Sequence, residues 1–230
     1  MTRDSADEIS LLTADGETLG GDLRVPAGAP AAAVICHPHP AHGGDRRNVV
    51  VDALFQGLSS AGVAALRIDF RRDSPRAATG EGVAERADVV AAIHRLAIEV
   101  DPAVPLFLVG YSFGADVALA VGDERHAGWA AVAPPFRFSG PACPGRGDGR
   151  PVLAVVPQHD QFAPPAWVER STRSWPEVAV EPVPMADHFL AGATALVART
   201  VTAWMLERAG RPGGAGGPGG AGGPGGAGLR

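Results

Sequence analysis

PLFLVGYSFGADVALA, at residues 105–120, places Ser112 midway between Gly110 and Gly114. The apolar run before the serine predicts a buried strand, and the small residues after it predict a helix. A serine on so sharp a turn is exposed, and the two glycines leave room for the backbone segments that crowd it. The stretch therefore predicts a nucleophilic serine, although a tight turn with a surface serine explains the same five residues.

Strand and helix signals alternate on both sides of this stretch. Residues 9–26 alternate apolar and polar side chains around Asp15-Gly16, which predicts an antiparallel hairpin. Beyond it we predict strands at 31–38, 63–70, 105–111, 128–134, 151–158 and 178–184, and helices at 48–62, 81–100, 113–122, 166–175 and 190–210. This order is typical of an α/β protein with a mostly parallel sheet and helices on both faces. Active residues of such sheets gather beyond the carboxyl ends of the strands, where Ser112 lies.

Composition narrows the classes of function. The 230 residues are 46% hydrophobic with a net charge of −5, which fits one α/β domain and gives no support to a nucleic-acid partner. The start, MTRDSADEIS, lacks a signal-peptide pattern, and no apolar run is long enough to span a membrane. Only two cysteines occur, of which Cys36 is expected to be a buried free thiol and Cys143 to lie in a loop. We therefore expect a cytoplasmic protein without disulfides.

The last twenty residues, RPGGAGGPGGAGGPGGAGLR, differ from the rest in kind. They have almost no side chains to bury, so they cannot offset the entropy of becoming ordered. A collagen-like triple helix is disfavoured because the run is short and few of its triplets contain proline. We expect a folded domain at residues 1–210 and a disordered tail rich in glycine, proline and alanine at residues 211–230.

A base and an acid are expected after later strands if Ser112 is a nucleophile. Asp160, in HDQF, and His188, in MADHF, each follow a predicted strand, and the order Ser, Asp, His is the one that this architecture uses. Asp160 would orient the ring of His188, which would take the proton of Ser112. Two other residues are weaker candidates for the acid and the base. Asp187 is adjacent to His188 in the sequence, and adjacent side chains rarely orient each other well. His159 is expected at the rim of the active site.

The oxyanion that forms during nucleophilic attack needs two backbone donors. The N–H of Phe113, directly after the serine, is the first candidate. The loop after the strand at 31–38 reads CHPHPAHGGDRRN, in which Pro38 and Pro40 have no N–H. The backbone amide of His39 is therefore the second candidate.

The same loop permits a metal-dependent alternative. His37, His39 and His42 resemble the H-x-H-x-D-H motif of metallo-β-lactamase-type hydrolases, but Ala41 stands in the place of the aspartate. Few other histidines remain to complete a dizinc site. We therefore expect no metal and no cofactor, and we expect His37 and His42 to support the loop by hydrogen bonds.

Several stretches together resemble the small, lidless α/β-hydrolases of bacteria, which are related to dienelactone hydrolases and to the Tex30/KANL3-type hydrolase domain. These stretches are HPHPAHGGDRRNVVVDAL, GVAALRIDFR, GEGVAERADVVAAI, LVGYSFGADVALA, HDQF and ADHF. The resemblance implies an α/β-hydrolase fold without a lid domain and serine hydrolysis of an ester or related acyl bond. RRDSPRAATG, at 71–80, departs from the family, which leaves the pocket wall there in doubt. Dienelactone hydrolases proper use cysteine in the place of Ser112, so their substrate is not implied.

Residues 135–150, PFRFSGPACPGRGDGR, lie where larger hydrolases insert a lid, and they are too short and too rich in glycine and proline to form one. Phe136 and Phe138 are candidates for lining an acyl pocket, and Arg137 for meeting a carboxylate, although ordinary loop packing explains each of them as well. An open site predicts a small, soluble acyl substrate.

Two classes of function remain. The first is a carboxylesterase-like serine hydrolase that acts through an acyl-enzyme. The second is a catalytically idle α/β-hydrolase scaffold used for binding, because a fold does not determine a function. The complete set of serine, acid, base and oxyanion donors favours the first.

Overall fold

The computed structural model describes residues 6–71, 82–139 and 143–210. Within them the strands are β1 Asp7–Leu12, β2 Thr18–Arg24, β3 Ala32–Cys36, β4 Ala64–Ile68, β5 Leu106–Tyr111, β6 His126–Val132, β7 Val152–Pro157 and β8 Val178–Val183. The helices are α1 Val49–Ser60, α2 Glu85–Ala97, α3 Phe113–Leu119, α4 Pro165–Thr172 and α5 Thr194–Ala209, with short 3-10 helices at Pro40–His42 and Pro144–Arg146.

The strands form one sheet of eight in the order β1-β2-β4-β3-β5-β6-β7-β8. β1 pairs with β2, and β2 with β4, in antiparallel fashion, whereas every later pair is parallel. The N-terminal hairpin and the mostly parallel sheet that the sequence predicts are therefore confirmed. β5, which leads into Ser112, lies at the centre of the sheet between β3 and β6.

Helices cover both faces of the sheet. The apolar side chains of α2 and α3 share one core cluster with one face, where α4 packs as well, and those of α1 and α5 share a second cluster with the other face. The two-sided cover explains why β3, β4, β5 and β7 are buried at every position. The indole of Trp129 donates to the carbonyl of Ala118 at 2.9 Å, which fixes α3 against β6.

Some element boundaries differ from the sequence prediction. α2 begins at Glu85 rather than at 81, and α5 begins at Thr194 rather than at 190. Before α5 the chain turns through Leu190 and Gly192, both with positive φ, so no helix can start earlier. Cys36 and Cys143 are both buried and free. No helix in the described ranges is long and apolar enough to cross a membrane. The predicted tail at 211–230 lies outside the described residues.

Candidate active site

Ser112 lies on the turn between β5 and α3, with φ of 53° and ψ of −119°. This left-handed backbone is strained for a residue other than glycine. Hydrogen bonds hold the turn on both sides: the N–H of Ser112 donates to the carbonyl of Val132, and the N–H of Ala115 donates to the carbonyl of Ser112, each at 2.9 Å. The strand, sharp turn and helix that the sequence predicts around the serine are present.

Close backbone contacts require both glycines of the motif. A Cβ on Gly110 would lie 2.3 Å from the carbonyl oxygen of Gly114. A Cβ on Gly114 would lie 2.5 Å from the carbonyl oxygens of Cys36 and His37. These atoms belong to backbone and cannot swing away, so the sequence keeps glycine at both positions. The second contact also brings the loop after β3 against the turn that carries Ser112.

A continuous chain of hydrogen bonds joins the three predicted catalytic side chains. Ser112 Oγ lies 2.9 Å from His188 Nε2, and His188 Nδ1 lies 2.8 Å from Asp160 Oδ2. Because a carboxylate only accepts, Nδ1 carries the proton and Nε2 accepts from the hydroxyl. The N–H groups of Phe162 and Ala163 donate to Asp160 Oδ1, which leaves Oδ2 directed at the ring. Asp160 and His188 are both buried.

Side chains that sequence reasoning missed hold the loop that contains His188. The hydroxyl of Tyr111 donates to the carbonyl of His188 at 3.0 Å, and burial raises the pKa of this phenol to about 12. The side-chain oxygens of Gln158 and Gln161 accept from the N–H groups of Met185 and His188. Tyr111 precedes the serine, and the two glutamines lie on either side of Asp160, so their positions in the sequence are the signal that could have found them.

The two rivals of the acid and base lie outside this hydrogen-bond chain. His159 and Asp187 are both exposed. Oδ1 of Asp187 accepts the N–H of Phe189 in a local turn at 3.0 Å. The structure therefore brings together Ser112, Asp160 and His188 rather than either rival.

The histidine-rich loop is supported by its own hydrogen bonds. His37 is buried, and its Nε2 accepts the N–H of Phe70 at 2.9 Å. Its Nδ1 therefore carries a proton and donates to the carbonyl of Pro38 at 2.6 Å, so both ring nitrogens are used within the protein. Among the described residues no group of three or more His, Cys, Asp or Glu side chains is placed to hold a metal ion. His37 supports the loop, as expected from the sequence.

His39 lies beside the turn of Ser112. Its ring centroid is 4.6 Å from that of Phe113 and 4.9 Å from that of His42. Its Nδ1 accepts the N–H of Ala41 and caps the 3-10 helix at Pro40–His42. The two residues predicted to supply oxyanion donors are thus neighbours.

The two candidate pocket residues lie in different surroundings. The ring of Phe138 is 5.1 Å from that of Phe113 and 6.0 Å from that of His39, so it adjoins the predicted oxyanion donors. Phe136 has a positive φ of 54° and packs against Trp167 and Trp175. The structure therefore places Phe138 beside the catalytic turn and Phe136 beside α4.

Two further aromatic rings flank the histidine. Phe162, which is 45% exposed, has its ring 4.6 Å from that of His188, and Phe189, which is 61% exposed, has its ring 5.8 Å away. The guanidinium of Arg137, which is exposed, lies 5.8 Å from the ring of Phe162. Each phenylalanine follows a predicted catalytic residue within two positions, in HDQF and in ADHF.

Comparison with curated sequences gives one partial match. No protein-family model matches the chain. An uncharacterised protein of Rickettsia prowazekii (strain Madrid E) is 35% identical over 98 residues, which cover 42% of this chain and 41% of that protein. The match thus spans about two fifths of that relative's length.

Solved structures match over most of the chain. An α/β serine hydrolase homologue from Coxiella burnetii has a TM-score of 0.76 and 26% identity, covering 89% of this chain and 98% of its own. A serine hydrolase without a lid from Xanthomonas campestris has a TM-score of 0.67 and 23% identity, with coverages of 88% and 96%. An esterase domain from Rhodothermus marinus has a TM-score of 0.70 and 21% identity, with coverages of 90% and 100%. This chain therefore has the α/β-hydrolase fold of lidless serine hydrolases, and its structural neighbours support hydrolase activity in the broad sense.

Proposed function

We propose that this protein is a carboxylesterase-like serine hydrolase that cleaves an ester or related acyl bond of a small soluble substrate. Ser112 is the nucleophile, His188 is the general base and then the general acid, and Asp160 orients the histidine. The observation that supports this proposal most strongly is the hydrogen-bond chain from Ser112 through His188 to Asp160 on a strained strand-to-helix turn.

The geometry supports the following reaction. His188 Nε2 takes the hydroxyl proton as Ser112 Oγ bonds to the carbonyl carbon, and Asp160 stabilises the imidazolium that forms. As the tetrahedral intermediate collapses, His188 returns the proton to the leaving oxygen, and the acyl group stays on Ser112. Water then attacks the acyl-enzyme with His188 as its base, which releases the acid and restores the serine.

The oxyanion is assigned to the backbone N–H groups of Phe113 and His39. The first follows the nucleophile directly, and the second lies in the loop that touches the turn through Gly114. The short distance between the rings of Phe113 and His39 supports placing both amides at one site. Prolines on both sides of His39 restrict the loop before substrate binds.

The broader assignment follows from this chemistry. The reaction needs no cofactor, and we propose a small-molecule acyl substrate, a cytoplasmic location and no nucleic-acid or membrane partner. We also propose kinship with dienelactone hydrolases and the Tex30/KANL3-type hydrolase domain, on the sequence resemblance given above. The exposed rings of Phe162 and Phe189 beside His188 are consistent with an open site.

The experiment compares hydrolysis of p-nitrophenyl acetate by the wild type, Ser112→Ala and Ser10→Ala, of which Ser10 is an exposed residue on β1. Ser112→Ala is expected to lose on the order of 10⁴-fold or more in rate, because the nucleophile is gone, while Ser10→Ala keeps full activity. Retention of more than about a tenth of the activity by purified, folded Ser112→Ala would refute the assignment.

Chelation separates this mechanism from the metal-dependent alternative. Wild-type activity is expected to survive dialysis against EDTA, because backbone amides polarise the carbonyl. Loss of activity that added zinc restores would favour a metal site in the histidine-rich loop. A folded wild type that hydrolyses no ester would instead support the binding scaffold.

A further inference from the structure

Asp116 is a buried carboxylate that the mechanism above does not use. It lies on α3, one turn after Ser112, and is 0% exposed. Its Oδ1 accepts the N–H of Phe136 at 2.9 Å, and its Oδ2 accepts the N–H groups of Arg137 at 2.6 Å and Phe138 at 2.9 Å. One side chain thus binds three consecutive backbone amides of the loop that follows β6.

The segment at 136–138 depends on these hydrogen bonds for its shape. Phe136 has a φ of 54°, a conformation that is strained for a non-glycine residue and persists only where the surroundings impose it. The carboxylate of Asp116 provides that constraint on the donor side of the segment. On the acceptor side, Arg86 of α2 donates to the carbonyl of Phe138 at 3.4 Å.

The segment forms a wall next to the proposed oxyanion site. The ring of Phe138 contacts those of Phe113 and His39, whereas the ring of Phe136 packs away from the site, against Trp167 on α4, and anchors the segment there. In the proposed reaction the carbonyl oxygen of the substrate points to the amides of Phe113 and His39. The leaving oxygen must reach His188, beside which lie the exposed rings of Phe162 and Phe189. Of the two candidate pocket residues, Phe138 is the one beside the catalytic turn, so its ring is available to contact the remaining substituent of the carbonyl carbon, the acyl chain.

We propose that Asp116 is a positioning residue that sets acyl-chain selectivity by holding the segment at 136–138 as the wall of the acyl subsite. This inference rests on the proposed serine hydrolysis. It assigns to Asp116 no contact with the substrate: the carboxylate acts through the three amides and through the ring of Phe138.

The charge of Asp116 provides a readout for this role. Burial raises the pKa of its carboxyl group, and the hydrogen bonds from the three backbone amides lower it. Burial has the larger effect, so the pKa is about 6. The carboxylate is therefore charged at about pH 8 and increasingly protonated below about pH 6. Protonation removes the charge that strengthens the three hydrogen bonds, so the wall should loosen as the pH falls through this range.

Other ionisable groups come from the elements packed against α3. They are Glu85, Arg86 and Asp88 on α2, Cys36 on β3, Tyr111 on β5, His126 on β6, and Cys143 and Arg146 at the second 3-10 helix, together with Arg137 of the segment itself and His39, whose ring lies 6.0 Å from that of Phe138. The two thiols and the phenol stay neutral near neutral pH, because burial raises the pKa of each of them. Burial also raises the pKa of Glu85 and Asp88 above the ordinary value of a carboxyl group, so the variant at Asp116 is needed to assign the titration.

The test is the ratio of kcat/KM for p-nitrophenyl hexanoate to that for p-nitrophenyl acetate, measured from about pH 5 to about pH 8. Both esters share one leaving group and the same catalytic residues, so a change in the catalytic step itself cancels in the ratio. Asp116→Asn offers one acceptor oxygen and an NH₂ group, and therefore cannot bind all three amides. Leu58→Ala, a buried change on α1, is the control for lost stability.

The wild-type ratio is expected to fall by roughly tenfold as the pH drops through about 6, because a loosened wall no longer supports the longer chain. Asp116→Asn should show a low ratio that does not change with pH, and Leu58→Ala should keep the wild-type ratio and midpoint. Phe138→Ala should lower the ratio as well, which gives a second variant if Asp116→Asn fails to fold.

Three results would overturn the inference while leaving the proposed function intact. The first is a wild-type ratio that is independent of pH. The second is a folded Asp116→Asn variant with the wild-type ratio and midpoint, which would assign the titration to another group. The third is an equal loss for both esters in Asp116→Asn, which would mean a purely structural role. Absence of any Ser112-dependent hydrolysis would instead overturn the proposed function, and this inference with it.

Discussion

Backbone from three neighbouring segments crowds the strained turn that carries Ser112. Gly110 and Gly114 let β5, α3 and the loop after β3 approach one another so closely that a Cβ at either position would clash with backbone atoms. The same approach brings His39 beside Phe113. At the scale of single residues, the proposed chemistry therefore depends on backbone geometry as much as on side chains.

The donor role of the His39 amide can be tested because its φ of −54° suits proline. His39→Pro removes the N–H together with the side chain, whereas His39→Ala removes the side chain alone. We expect His39→Pro to lower kcat by a further factor on the order of 10² relative to His39→Ala, which is the usual effect of losing one oxyanion donor. Equal kcat values in the two folded variants would exclude this amide as a donor.

Among the larger elements, α5 links stability to the site. It begins a few residues after His188, and its buried side chains pack on the sheet face that also carries α1. Met205 is fully buried, and the ring of Trp204 lies 5.6 Å from that of Phe107 on β5. The helix thus fixes one end of the loop that contains the proposed base.

Two truncations test this link. Removal of residues 201–230 deletes Trp204 and Met205, so the free energy of unfolding should fall by several kcal/mol, on the order of 2–5 for each large buried side chain, and activity should fall with it. Removal of residues 211–230 should change neither the melting temperature nor the rate, because we propose that the tail makes no lasting contact with the domain. An equal loss of stability in the two proteins would show that the tail belongs to the folded domain.

Much of the architecture could be predicted from the order of strand and helix patterns in the sequence. Apolar runs predict the parallel strands, and Ser112, Asp160 and His188 were predicted as catalytic residues because each follows such a run within a few positions. Periodicity does not describe the path of loops, however. Phe136 and Phe138 are spaced as if they shared one surface, but the positive φ of Phe136 turns it towards α4.

The hydrogen-bond partners of buried polar groups could not be predicted from the sequence either. Asp116 is an acidic residue in an apolar helix, which was a signal that it needed partners, but the amides that it binds lie twenty or more positions later in the chain. The exposed rings of Phe162 and Phe189 depend on loop conformation in the same way. What could not be predicted is therefore how loops pack on one another.

At the scale of the whole molecule, the carboxyl ends of β5, β7 and β8 converge at one edge of the sheet and bring together residues from distant parts of the chain.

The opposite edge contains a buried histidine at the start of β6. His126 is 3% exposed, and neither of its ring nitrogens has a hydrogen-bond partner among the described residues. Burial, together with the charge of Arg150, lowers the pKa of this ring to about 4.

This histidine should make the fold sensitive to acid. Its folded-state pKa lies below the value of 6.5 of an unperturbed histidine, so below that pH the unfolded chain takes up a proton that the folded chain does not. The free energy of unfolding of His126→Leu, relative to that of the wild type, should therefore rise by up to about 3 kcal/mol as the pH falls from about 7 to about 4. Urea unfolding at several pH values measures this difference. A difference in unfolding free energy that stays constant with pH would contradict a lowered pKa of His126 in the folded protein.

The most direct measurement of the central claim is labelling with a fluorophosphonate, followed by mass spectrometry of the peptides. Such probes form a covalent bond with a serine only when a base activates it within an oxyanion site. The wild type is expected to carry one adduct, on Ser112, and His188→Ala should label far more slowly. Absence of an adduct from folded wild-type protein, or an adduct on another serine, would contradict the proposal that Ser112 is the nucleophile of a serine hydrolase.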